Sequence, residues 1–383
     1  MTGNLFVNSS VVSITICVRA AKMLSITTGI QVKELKHMIS KQDKSSLDRL
    51  YEGCRAYHGE LHDHSDSGGT SDGKCPLAEW PEKMHALHMD FAAILDHKQI
   101  RHMYQPVWED GLFIPGTEPG THITDSKAEE KAMHYNILLP CRDQLETLLN
   151  RFPEYQFSGG TEGHFKYPDF TRERFCELID AVKAMGGLFV HPHPRQLMRS
   201  SDPSDYWFRD GTGIEVFYIS MDSEATRENY ALWVDLLASS KQVWACAGCD
   251  LHSDPHDTAL TTVYAESQSA RSYLNHLSAG DFTCGPVGVR MAIGSTRTGG
   301  CCAFRGQRLS VCVGDFHSSV ANNAHEYRAD VLNEHGVVFS TPVSPCAENR
   351  FSLNAADCAF YRVEVFDVTR DLRIAIGNPI WNA

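Results

Sequence analysis

Apolar and polar positions along the chain change period more than once, and each change marks a different kind of structure. From Tyr57 onward, short apolar runs at Tyr57–His62, Phe91–Leu95, Tyr135–Leu139, Gly187–His191, Gly213–Tyr218 and Gln242–Cys246 read as strands. Between them, Pro81–Met89, Arg142–Leu149, Thr171–Met185 and Glu224–Ser239 carry helical spacing. Strands alternating with helices predict βα units, and hence an α/β fold with a parallel sheet or barrel. Ahead of this stretch, Lys44 to Arg55 predicts a short amphipathic helix. Met1 to Lys41 has no firm periodicity, so residues 1–49 read as an extension whose first 25 or so residues are poorly ordered. Beyond Gly294 helical spacing disappears. Arg308–Val313, Gly336–Ser340, Phe360–Val368 and Arg373–Ile376 are rich in β-branched or aromatic residues and predict a small, mainly β domain over 300–383, leaving 50–292 as the α/β part.

Composition narrows the function classes. The chain is 42% hydrophobic and 22% charged, ordinary for a globular protein. Its formal net charge of −13 argues against broad binding to nucleic-acid phosphates, which needs a basic footprint. A small anionic substrate stays open, because bound divalent metals make a local site positive on an acidic surface. No apolar stretch approaches the roughly 18 residues of a membrane span. Val11–Val18 is short, contains Ser13 and Thr15, and makes a poor secretory signal. Thirteen cysteines, an odd number in a long chain, read as reduced thiols and predict a cytoplasmic protein. The unusual feature is 19 histidines, many of them clustered.

The sharpest cluster is Tyr57-His58-Gly59-Glu60-Leu61-His62-Asp63-His64-Ser65. On a strand His62 and His64 share a face about 7 Å apart, which suits one metal ion. Two polar residues on a solvated strand would look the same, so the pair gains weight only from similar residues further along the chain. Asp72 stands in Ser71-Asp72-Gly73, and Asp96-His97 ends the run Phe91–Leu95. Glu118 follows Phe113-Ile114-Pro115-Gly116-Thr117, and His134 opens His134-Tyr135-Asn136. His191-Pro192-His193-Pro194 ends another strand, and Asp250-Leu251-His252 ends the last. Ligand-type residues at the ends of successive strands are where chemistry collects in a (β/α) barrel.

This series resembles the PHP (polymerase and histidinol phosphatase) superfamily of metal-dependent hydrolases, through HxH, SDG, DH, PGxE, HxN, HP and DxH elements in the same order over about residues 55–290. The tail, closing on Phe360-Tyr361-Arg362-Val363-Glu364-Val365 and Gly377-Asn378-Pro379-Ile380-Trp381, resembles the carbamate-hydrolase-related branch. The resemblance implies a distorted (β/α)7 barrel followed by the small C-terminal β domain. It also implies three metal positions: His62, His64, Glu118 and Asp250 at the first; Glu118, His134 and His193 at the second; Asp72, His97 and His252 at the third. Such imidazole and carboxylate sets suit Mn, Zn or Fe, so two or three divalent ions are expected. Two departures touch this assignment. Leu95 stands where a Thr is usual, and the loop from His64 to Asp72 is longer than common, which bears on the third position. The HP element is doubled, with His193 favoured and His191 as its substitute.

Lys98, Arg101 and Arg195 lie beside these ligands and are candidates for binding an anionic small-molecule substrate; the alternative is solvated loop charge. His122, four residues after Glu118, reads as an exposed loop residue. Cys246-Ala247-Gly248-Cys249 matches CxxC but reads as the strand leading to Asp250. The expectation is a metal-dependent hydrolase, favouring a phosphoester. A water shared between two metals is the attacking group, Asp250 takes its proton, and Arg195 or the third metal steadies the leaving oxygen. A carbamate, ester or amide hydrolase on the same metals, and a non-catalytic binding module, are the alternatives. Oligomeric state is not legible in the chain.

Overall fold

The computed structural model describes residues 46–128, 131–155, 167–195 and 203–383. The expected disorder of the first 25 residues lies outside them, as does all but the end of the expected extension. Two compact units divide at 49/50. Of the first, only the start of a short helix, α1 (Ser46–Leu50), is described.

Among the described residues the second unit carries twelve strands before the tail: β1 (Arg55–Asp63), β2 (Phe91–Ile94), β3 (Phe113–Thr117), β4 (Gly120–Ile123), β5 (Ala132–His134), β6 (Asn136–Leu138), β7 (Asp169–Phe170), β8 (Leu188–His191), β9 (Gly213–Tyr218), β10 (Trp244–Gly248), β11 (Thr261–Ala265) and β12 (Phe282–Cys284). Helices α2 (Trp80–Ala86), α3 (Arg142–Arg151), α4 (Arg172–Ala184), α5 (Glu224–Ala238) and α6 (Ala270–Leu277) fall between them. The last three start where a hydroxyl satisfies an orphan amide. Thr171, Ser223 and Ser269 accept from the backbone N–H groups of Arg174, Thr226 and Ser272. Strands β2, β8 and β9 are buried at every position, which explains why their sequences run apolar without alternation.

The main sheet runs β10-β9-β8-β6-β3-β2-β1-β11-β12 and continues into the C-terminal strands. β1, β2 and β3 are parallel, as are β8, β9 and β10, but β6 runs antiparallel to both its neighbours and β11 antiparallel to β1. Of the expected distorted (β/α)7 barrel, the described residues show the α/β character, as a mixed sheet with few helices, and no closed ring. The cause is local. A single 3-10 turn, Arg101–Tyr104, joins β2 to β3, and the β4–β5 hairpin joins β3 to β6, so neither crossover carries a packed helix. The ladder is an open path. Its far end nevertheless bends back to β1, where Asp250 N–H donates to His62 O (2.7 Å) and His64 N–H to Leu251 O (3.0 Å). That return puts the ends of β1 and β10 side by side.

The tail adds β13 (Val287–Ile293), β14 (Thr296–Arg297), β15 (Cys301–Cys302), β16 (Arg308–Phe316), β17 (Tyr327–Asn333), β18 (Gly336–Val343), β19 (Asn349–Asn354), β20 (Phe360–Asp367) and β21 (Leu372–Asn382). β21 pairs with β12 and so joins the tail to the main sheet. Phe360, Ile376 and Trp381 are buried in the same apolar cluster as Phe217 and Trp233. Asn378, fully buried, accepts from Ala245 N–H (2.7 Å) and donates to Phe282 O (3.4 Å). No described helix is long and apolar enough to cross a membrane.

Candidate metal centre

Alternation on β1 points His62 and His64 the same way, and the return of β10 brings Asp250 against them. His62 Nε2 lies 3.3 Å from Asp250 Oδ1 and 3.3 Å from Glu118 Oε2; His64 Nε2 lies 3.0 and 3.2 Å from the same two atoms. Glu118, just past β3, is fully buried and sits at the middle. Its Oε2 faces His62, His64 and also His97 Nδ1 (3.1 Å), while its Oε1 faces His134 Nδ1 (2.9 Å) and His193 Nε2 (3.2 Å). On the outer side Asp72 Oδ1 lies 3.1 Å from His252 Nε2 and 3.6 Å from His97 Nε2.

Three overlapping groups can each offer ligand atoms within 4.8 Å of one another: His62, His64, Glu118 and Asp250; His97, Glu118 and His134; and His64, Asp72, His97 and His252. These groups hold eight of the nine ligand-type residues carried over from the sequence, and His193, the ninth, lies against Glu118 Oε1. The distribution differs from the expected sets: His97 takes the place of His193 beside Glu118 and His134, and His64 also joins the outer group. The long loop after His64 is anchored rather than loose. Asp96 accepts from Ser65 N–H (2.7 Å) and from the Ser67 hydroxyl, and Thr70 bonds to His97 O.

His191 does not join the cluster. β8 ends on it, and its ring is buried against Phe189 (5.3 Å) and Phe208 (4.5 Å), where desolvation pushes the imidazole down to about 3. The chain then turns, and His193 adopts a left-handed φ of 27° that carries its ring to Glu118. Lys98 and Asp250 are left-handed too, at 49° and 53°. Backbone held in this region by L-residues gathers at working sites.

The electrostatics call for positive charge. Burial penalises every charge here, yet the histidines outweigh it and hold Glu118 and Asp250 well below the usual carboxylate range. Conversely burial depresses His62, but Asp250, Glu118 and Glu215 pull it well above its ordinary value, and Asp250 and Glu118 raise His64 to about 10. Without a cation, then, the carboxylates are balanced by protons on imidazoles. Hydrogen bonding does not complete the arrangement: buried His62 Nε2, His64 Nδ1, His193 Nδ1 and Glu118 Oε2 lack hydrogen-bond partners. Imidazole and carboxylate atoms this close together, with His62 Nε2 and Glu118 Oε2 at the middle lacking hydrogen-bond partners, fit divalent metal ions.

The sequence reading missed the residues that orient this cluster. Glu215, buried on β9, places Oε1 3.0 Å from His62 Nδ1 and accepts from His193 N–H with Oε2 (2.8 Å). A carboxylate on the outer nitrogen of a ligating imidazole fixes its tautomer and direction. The available signal was one acid in the apolar run Gly213-Ile214-Glu215-Val216-Phe217-Tyr218. Tyr218 donates to Asp250 Oδ2 (2.8 Å), and the Tyr167 hydroxyl lies 2.7 Å from His134 Nε2. Glu60 accepts from His62 N–H (2.5 Å) and Cys249 N–H (2.5 Å), tying β1 to β10.

Of the candidate substrate cations, Lys98 is buried with Nζ 5.4 Å over the Tyr167 ring, and desolvation lowers its ammonium. Arg101 lies beside Gly69 on the anchored loop. Arg195, half-buried, borders residues 196–202, outside the described residues. His122 is exposed against Asp169 (3.5 Å). Among the described residues no group of potential metal ligands includes one from the tail beyond 300.

No protein-family model matches the chain, and no curated protein matches it. Solved structures give loose likenesses. One is to a candidate metal-dependent phosphoesterase from Bifidobacterium adolescentis, at 14% identity and TM-score 0.33, covering 52% of this chain and 89% of that one. Another is to an amidohydrolase from Chromobacterium violaceum, at 13% and 0.37, with the same coverage. A third is to the lesion-specific endonuclease Q of Pyrococcus furiosus, at 13% and 0.39, covering 58% of this chain and 56% of that one. Superpositions this loose add no weight to the geometry above.

Proposed function

We propose that this chain is a metal-dependent hydrolase and that its substrate is a phosphoester. The observation that carries the reading is Glu118, a buried carboxylate whose two oxygens face two different histidine sets. That is the arrangement of a carboxylate shared between neighbouring cations. His62, His64, Glu118 and Asp250 would hold one ion; Glu118, His134 and His193 a second; Asp72, His97 and His252 a third. Divalent ions there supply Lewis acidity and make water acidic enough to act as a nucleophile near neutral pH. The protein's own groups do the rest. Glu215 and Glu60 aim His62, and Tyr218 holds Asp250 through Oδ2 while Oδ1 faces His62 and His64; in this reading Asp250 takes the proton of the attacking water. Lys98, Arg101 and Arg195 supply the cations that draw an anionic substrate and steady its leaving oxygen. The tail, about 300–383, serves as an accessory to the α/β part.

The test is a screen of phosphomonoesters, phosphodiesters and aryl carbamates with Mn²⁺-loaded protein, alongside elemental analysis. Two or three equivalents of Mn, Zn or Fe and hydrolysis of a phosphoester are expected, both lost in His62→Ala and Glu118→Ala. Turnover of carbamates alone would move the reading to carbonyl chemistry on the same site. A metal-free protein that is fully active would overturn it.

A further inference from the structure

The geometry points to a second, separate metal site: Cys54, Glu266 and His276 form a zinc site at the opposite end of β1 from the histidine cluster. These three residues are the one group of potential metal ligands containing a thiol among the described residues, with ligand atoms within 4.8 Å of one another. The fold brings them together by register. Arg55 pairs with Ala265 across β1 and β11, so Cys54 and Glu266 are the next opposed pair, one step beyond the ladder. His276 comes from α6, which packs beside β11.

The distances suit a tetrahedral ion. Zinc bond lengths to sulfur, nitrogen and oxygen imply edges of about 3.4 Å for N···O and about 3.6 Å for S···O. His276 Nε2 lies 3.3 Å from Glu266 Oε1, and Cys54 Sγ lies 3.7 Å from the same oxygen. The support around them is already built. His276 Nδ1 is 3.0 Å from Asp281 Oδ2, leaving Nε2 for the site. Asp281 is fixed in turn by the Tyr51 hydroxyl (2.6 Å) and Arg297 (3.3 Å), and Ser272 donates to Glu266 (3.1 Å). A carboxylate behind a ligating imidazole is the usual supporting arrangement. Glu266 is exposed, so water would supply the fourth ligand.

Thiolate with imidazole selects zinc over Mg²⁺, Ca²⁺ or Mn²⁺. The exchange balances. In the ion-free state burial lowers the His276 imidazole while Asp281 and Glu266 raise it above its ordinary value, and the Cys54 thiol donates to Glu266. Zinc replaces the thiol proton and any proton on His276 Nε2, so at least one proton leaves per ion bound and Glu266 stays a carboxylate. The ion would clamp the start of β1 to β11 and α6.

Because the histidine cluster contains no thiolate, cobalt(II) separates the two. The full chain loaded with Co²⁺ should show thiolate-to-cobalt charge-transfer absorption in the near ultraviolet that Zn²⁺ competes away, with at least one proton released per ion. The band should vanish in Cys54→Ser, weaken at least tenfold in apparent affinity in Glu266→Gln, and persist in His62→Ala, whose losses fall on the hydrolase site alone. Glu266→Gln keeps the thiol and lies at an exposed position, so it reports on the site even if Cys54→Ser folds poorly. Absence of the band in the unmodified protein, its survival in Cys54→Ser, or unchanged affinity in Glu266→Gln would each overturn the assignment.

Discussion

Gly248→Ala is the smallest change that should disable the metal centre. A Cβ at position 248 would lie 1.9 Å from Glu215 Oε1, 3.0 Å from Glu215 Cδ and 2.8 Å from His62 Cβ. Oε1 is the oxygen facing His62 Nδ1, and the other oxygen of the same buried carboxylate is occupied by His193 N–H, so Glu215 cannot swing aside and keep both bonds. Either the carboxylate gives up its charge-assisted bond, worth ~1.5–3 kcal/mol, or the strand shifts at an overpacking cost of ~1–3 kcal/mol. In both cases His62 loses its aim, and losing such a supporting partner lowers metal affinity or activity by about 10–100-fold. Gly213→Ala, on the neighbouring strand, is the matched control. Its methyl meets Cys246 Sγ at 2.5 Å and Val190 Cγ2 at 3.0 Å, side chains that only pack. Metal content after dialysis against graded chelator, kcat/KM and thermal melting should be compared for both variants and for Glu215→Gln. Gly248→Ala should lose metal affinity and rate together, with Glu215→Gln moving the same way and Gly213→Ala losing stability alone. If Gly248→Ala melts lower but retains metal and kcat/KM within about twofold of the unmodified chain, the supporting role of Glu215 is wrong.

Asn378→Ala should lower stability by ~1–3 kcal/mol, because it leaves the buried Ala245 N–H without an acceptor; chemical denaturation reads this, and metal content unchanged from wild type is expected alongside. An unaltered midpoint would mean that the tail is not held to β10 by this contact. Burial, with the His317 ring 5.2 Å away, pushes His58 down to about 3. The ring is neutral in the fold while the unfolded chain takes a proton near the ordinary 6.5, so its contribution to stability is whole above 6.5 and lost as pH falls toward 3. Denaturation midpoints from neutral to acid pH should therefore fall more steeply for the unmodified chain than for His58→Gln, and parallel slopes would refute the shift.

What the chain determined by itself is the position and local direction of the candidate ligand residues. A period of two puts His62 and His64 on one face of β1 whatever lies around them, and the apolar runs ending on Asp96-His97, Glu118 and Asp250 mark where strands stop. Period gives direction only inside an element. At the end of β8 it fails, and a left-handed turn at His193, not alternation, sends His193 to Glu118 and leaves His191 among phenylalanines. Glu215 was invisible for a related reason: on β9 it looks like one more core position until β10 returns to β1 and sets His62 beside it. The βα units expected from alternating runs are only partly realised because the connections after β2 and β3 carry a 3-10 turn and a hairpin in place of a packed helix, and β6 and β11 run antiparallel to their neighbours. Which strands become neighbours, and which carboxylate meets which imidazole, depends on contacts far apart in sequence, and only the folded chain brings those together.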